Sequence, residues 1–124
     1  MHELTVVIAQ KDQAAADHLT DVLQGRFRRV TVAHSGPELH EAILKLNANA
    51  AIVDLELIND EQLRNLCSAY PYTVVVATHR TPDIEMWMTC LDLGATDCCH
   101  RNDVEGMLRA ITHNLHLARA ARAA

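Results

Sequence analysis

Asp54 ends an apolar run, Ala50-Ala51-Ile52-Val53, and is followed by Leu55-Glu56-Leu57. A carboxylate at the carboxyl end of a buried parallel strand sits at the rim of its sheet, where α/β folds carry out chemistry. Other strand ends supply groups to the same crevice. Gln10, Lys11 and Asp12 follow the first strand, Thr78 and His79 close the fourth, and Arg101 follows the fifth. A hydroxyl, a carboxylate and a cation around one pocket suit phosphoryl chemistry on the carboxylate. The segment Gln10-Lys11-Asp12-Gln13 contains no glycine, which argues against a dinucleotide or P-loop site. No Gly-x-Ser-x-Gly elbow is present, so a hydrolase of that type is disfavoured.

The elements that must position these groups alternate regularly. Strands are predicted at Leu4 to Ala9, Arg29 to Ala33, Ala50 to Asp54, Thr73 to Thr78 and Ala95 to Cys99. Most are nearly continuous in apolar residues, as expected when both faces of a sheet are covered. Helix starts are marked by Ser35-Gly36-Pro37-Glu38, by Asn59 with Gln62, by Thr81-Pro82 and by Asn102 with Glu105. Gly25 and Gly94 sit where helices should stop. Helical faces are predicted to bury Leu19, Val22 and Leu23; Leu39, Ile43 and Leu46; Ile84, Met88 and Leu91; and Val104, Leu108, Ile111 and Leu115. Five β-α units of this length make a doubly wound parallel sheet with helices on both faces. A flavodoxin-like (βα)5 fold with strand order 2-1-3-4-5 is the natural assignment.

With 124 residues the chain is expected to form one domain. Residues 1–118 are assigned to it, and 119–124 to a C-terminal tail that could lead to an output region. A net charge of −5 argues against direct nucleic-acid binding. No apolar stretch reaches the roughly 20 residues of a membrane span, and Met1-His2-Glu3-Leu4 lacks the features of a secretory signal. A cytoplasmic location is therefore expected, with Cys67, Cys90, Cys98 and Cys99 as reduced, packed thiols. Cys98 and Cys99 are adjacent on a strand, so they should face opposite sides of the sheet.

The chain resembles the receiver domains of bacterial two-component response regulators over Leu4 to about Leu117. The resemblance rests on Asp54 in AIVDLEL, on Thr78 ending TVVVAT, and on LGATDCCHRND, which matches the Gly-Ala-Asp-Asp-x-x-x-Lys-Pro stretch. It implies that Asp54 holds the phosphoacceptor position and Thr78 the switch hydroxyl. It places Arg101 at the basic position that contacts the phosphoryl group.

The departures are equally specific. Receivers hold Mg²⁺ with two acids after the first strand, and those positions are Gln10 and Lys11 here. His79 stands where a small residue usually follows the switch threonine, Asn102 replaces the proline, and Cys98 replaces the aromatic residue of the fifth strand. No metal or other cofactor is expected unless the conventional receiver chemistry survives, in which case Mg²⁺ is. In its place Lys11 or Arg101 could pair with Asp54, or Arg101 with Glu56, and both cations favour ionised Asp54.

Taken together, the residues suggest a non-enzymatic signalling module acting through protein contacts, with normal Mg²⁺-dependent phosphorylation lost. Its expected surface is helix 4, strand 5 and helix 5, used with a protein partner or in a homodimer, and Trp87 lies on that helix. One alternative is a conventional receiver phosphorylated on Asp54 by a histidine kinase. A remote one is a flavodoxin-like small-molecule binder.

Overall fold

The computed structural model describes the backbone of residues 4–123 and the side chains of residues 4–115. Its elements alternate without exception: β1 Thr5–Ala9, α1 Gln13–Leu23, β2 Arg29–Ala33, α2 Gly36–Leu46, β3 Ala50–Asp54, α3 Asp60–Ala69, β4 Val74–His79, α4 Ile84–Asp92, β5 Asp97–His100 and α5 Val104–Ala123. All strand pairings are parallel, in the order β2-β1-β3-β4-β5. This is the predicted flavodoxin-like order. The α5 backbone is helical from Val104 to Ala123.

The period of two along each strand divides the core. Val7, Ala51, Val53, Val75 and Ala77 pack beneath α2, α3 and α4, with Leu39, Ile43, Leu63, Leu66 and Cys90. Val6, Ile8, Ile52 and Val76 point the other way, toward Leu19 and Leu23 of α1 and Met107, Ile111 and Leu115 of α5. Cys98 joins the first layer and Cys99 the second, so the neighbouring thiols do face opposite sides.

The predicted face of α4 is wrong. Ile84 is 73% exposed and Met88 55%, while Cys90 is buried against the sheet. The segment Ile84-Glu85-Met86-Trp87-Met88-Thr89-Cys90-Leu91 is apolar on more than one side, so periodicity alone does not choose the inward face. The α5 face is likewise rotated: Met107, Ala110, Ile111 and Leu115 are buried, and Val104 and Leu108 only partly so. Gly106, not a larger residue, fills the tight first turn, where an added Cβ would lie 2.3 Å from Asp103 Oδ2.

Caps explain the remaining shifts. Ser35 accepts from the Glu38 N–H, and Asn59 with Gln62 form the predicted reciprocal box, each bond 2.8 Å. The fourth helix is capped by Asp83, which accepts from Met86 N–H at 2.8 Å, so Thr81-Pro82 lies before the helix. The fifth is capped by Asp103, not Asn102: its carboxylate accepts from Gly106 N–H at 3.0 Å. In both helices an aspartate directly before the first helical residue takes the exposed N–H groups.

Gly94 does end a helix, at φ +109°, and the Ala95 N–H returns to the Cys90 carbonyl at 2.9 Å. That return occupies Ala95, so β5 begins at Asp97, two residues later than predicted. A Cβ on Gly94 would approach Cys67 Cβ to 2.8 Å. Gly94→Ala should therefore cost about 2 kcal/mol from backbone strain and overpacking together. Urea unfolding of the variant, with an unchanged slope and a lower midpoint, checks this.

Candidate functional site at the carboxyl edge of the sheet

Three polar side chains are buried among those described: Gln10 at 4% exposure, Asp54 at 7% and Thr78 at 0%. Their positions follow from register. Ala9 is level with Val53, and Asp54 with Thr78, so the three stand in one row across β1, β3 and β4. Their parity matches Ile8, Ile52 and Val76, which places the row on the α1/α5 side of the sheet.

The Asp54 carboxylate is held by backbone. Lys11 N–H donates to Oδ2 and Glu56 N–H to Oδ1, each at 2.9 Å. Above it, Gln10 Nε2 donates to Thr78 Oγ1 at 3.0 Å. The amide thereby reaches from β1 to β4 past the end of the intervening β3. Its other atom, Oε1, is buried without a hydrogen-bond partner.

Outside this row opens a cavity of about 380 Å³ lined by Lys11, Asp12, Asp54, Glu56, Arg80 and Arg101. The expected pairing of Asp54 with Lys11 or Arg101 is not formed among the described residues. Arg101 Nη1 lies 3.9 Å from Asp12 Oδ2, and Glu56 is taken by Arg80, whose Nε is 2.6 Å from Oε1. Asp12 also caps α1 by accepting from Ala15 N–H. The Arg80 hydrogen bond holds the Glu56 carboxyl below the usual carboxylate range. Peptide dipoles and these flanking pairs, rather than a direct ion pair, accompany the Asp54 carboxylate.

Arg80 was not among the residues the sequence singled out. Its signal was there: opposite charges follow the ends of two adjacent parallel strands, Glu56 after β3 and Arg80 after β4. The two histidines near the rim bond to local backbone. His79 Nδ1 accepts from Thr81 N–H and His100 Nδ1 from Asn102 N–H, each at 3.0 Å.

These donors do not fit Mg²⁺, which wants octahedral oxygen ligands and favours carboxylates. Position 11 offers an ammonium, and the Gln10 side chain is turned to Thr78 through its nitrogen. Asp12 faces a guanidinium. Among the described residues, no three acidic, His or Cys groups gather as a ligand set.

On the neighbouring face, Ile84 and Met88 of α4 are joined by Trp87, 42% exposed. The indole N–H donates to Asp97 Oδ1 of β5 at 3.0 Å, which fixes the ring against the strand. Among the described residues, no helix is long and apolar enough to cross a membrane.

No protein-family model matches the chain, and no curated protein does. Solved structures are similar over nearly all of it. A response regulator protein from Burkholderia pseudomallei, with a phosphorylated aspartic acid, a calcium ion and citrate, superposes with a TM-score of 0.79 at 21% identity, over 98% of this chain and 74% of that one. The signal receiver domain of a DNA binding response regulator (merR) from Colwellia psychrerythraea gives 0.79 at 15% identity, covering 92% and 99%. A CheY-like response regulator receiver domain protein from Methanospirillum hungatei gives 0.75 at 20%, covering 96% and 98%. At such identities the likeness is one of fold. Strand order, layers and superpositions agree that this chain has the receiver-domain fold of response regulators.

Proposed function

We propose that this chain is a receiver-like signal-transduction module that works through protein contacts, with Asp54 no longer loaded by Mg²⁺-dependent phosphorylation. One observation carries the reading: Gln10 and Lys11 stand at the crevice where a dication would need acids, and the Gln10 amide engages the Thr78 hydroxyl. That bond sets where the Thr78 oxygen stands while its own O–H stays a donor, so the missing acids at positions 10 and 11 carry the loss of loading. The module turns over no substrate; it presents a surface. That surface is the one formed by α4, β5 and α5, where Ile84, Trp87 and Met88 are exposed together. The partner is a second copy or another signalling protein, and an exposed tryptophan is a good anchor for either.

A second reading, a conventional receiver served by a histidine kinase, draws on the same crevice. Asp54 is level with Thr78, and Lys11, Arg80 and Arg101 line the cavity beside it, so cations stand ready for a phosphoryl group. Arg101 would then be its contact. The Burkholderia protein shows that the fold accommodates a phosphorylated aspartate. Acetyl phosphate with and without Mg²⁺, followed by intact mass measurement, separates the two. The proposal expects no adduct in either case, and self-association by light scattering unchanged in Asp54→Ala. An adduct that needs Mg²⁺ and vanishes in Asp54→Ala would establish the conventional reading instead. A flavin or nucleotide spectrum in the purified protein would point to the small-molecule binder.

A further inference from the structure

Two thiols behind the crevice face each other. Cys90 lies in the last turn of α4, and the Gly94 return brings the chain back so that Ala95 N–H bonds the Cys90 carbonyl at 2.9 Å. Cys98 follows on β5, level with Ala77, with its side chain in the layer that contains Cys90. The two thiols share that layer close enough to interact, with Cys98 as the donor toward Cys90. That interaction holds Cys90 below the ordinary thiol range and pushes Cys98 up. Thiolate is the reactive form of cysteine. Cys90 also lines a cavity of about 390 Å³, with Leu55, His79, Asp83, Met86 and Thr89, that a small solute can enter.

We propose that Cys90 and Cys98 are an oxidisable dithiol that hydrogen peroxide, reaching Cys90 through this cavity, converts into an intramolecular disulfide between α4 and β5. Cys90 attacks one peroxide oxygen, the O–O bond breaks, and one water leaves as Cys90 becomes a sulfenic acid. The Cys98 sulfur then attacks Cys90 Sγ, the S–S bond forms, and the hydroxyl departs as a second water. The two sulfurs give up two electrons, the peroxide accepts them, and both thiol protons end in water. The other cysteines are poorer partners. Cys99 lies on the opposite face of the sheet, and Cys67 belongs to α3, so a bond to it would not join α4 to β5. The bond would lock α4, which carries Ile84, Trp87 and Met88, to the strand whose Asp97 holds the indole. None of this depends on the chemistry of Asp54.

The test uses the full folded chain. It is treated with hydrogen peroxide, its remaining thiols are alkylated in denaturant, and it is cut on the amino side of aspartates. The segments Asp83–Leu91 and Asp97–Asn102 should be recovered joined, lighter by two hydrogens than their sum. Fragmentation should place the bond at Cys98. The joined species should persist in Cys67→Ser and Cys99→Ser and be lost in Cys98→Ser. Wild-type protein yielding no joined species, or joining Cys90 to Cys67 or Cys99, overturns the proposal. So does a bond that forms as fast in urea-unfolded chain as in folded, because the fold would then contribute nothing.

Discussion

Gln10→Asp with Lys11→Asp should give a protein that binds Mg²⁺ and takes a phosphoryl group from acetyl phosphate on Asp54. An ammonium about 4 Å from a divalent cation repels it by about 8 kcal/mol at an effective dielectric near 20. Rotation of the long Lys11 side chain relieves part of that, and a carboxylate in its place reverses the sign. The first substitution also removes the amide that donates to Thr78 Oγ1. Both changes act where Asp54 is already held in place by two peptide N–H groups at 2.9 Å. Titration calorimetry with Mg²⁺ and intact mass after acetyl phosphate should both move from silent to positive. Calorimetry showing no Mg²⁺ uptake by the double variant would mean that something other than positions 10 and 11 disables the crevice.

Thr78→Val should be costly for so small a change. It removes the acceptor of Gln10 Nε2 and leaves the whole amide, already lacking a partner at Oε1, buried and unsatisfied. The expected loss is about 3 kcal/mol, at the upper end of what an abandoned buried polar group costs. Adding Gln10→Met takes away the stranded amide at similar volume and should return stability to within about 1 kcal/mol of the parent. The compensation is the signature, read from the urea midpoints of the parent, both singles and the double. Simple additivity would show that the Gln10–Thr78 bond contributes nothing to stability.

The strand assignments came out of the sequence to within two residues at every end, with β1 and β4 each off by one despite near-complete burial. β3 is apolar up to Asp54 and was bounded correctly at both ends, because no competing period exists in Ala50-Ala51-Ile52-Val53. β2 was also bounded correctly, although it is only partly buried. α4 defeated the same reasoning, since Met86, Cys90 and Leu91 are as apolar as Ile84 and Met88, and only the position of the sheet selects among them. In the site, the strand ends correctly brought Lys11, Asp12, Asp54 and Arg101 to one cavity. Who pairs with whom was not legible. The Arg80–Glu56 bridge and the Gln10–Thr78 bond depend on side-chain direction across adjacent strands, which residue type and spacing do not encode. The identity of the α1 cap was a nearer miss: Asp12 is expected only as a group at the crevice, yet it also does the ordinary work of an aspartate before a helix.

The lateral borders of the sheet have their own consequence. β2 opens at an exposed Arg29 with Arg28 just before it, and β5 spans four residues running from Asp97 to an exposed His100. Brief borders with polar or charged ends are poor templates for adding a foreign strand. Copies of this chain therefore have little means to stack edge to edge into fibrils, even at high concentration. Whatever stickiness it has belongs to side chains on a helix, where association can be reversible and selective.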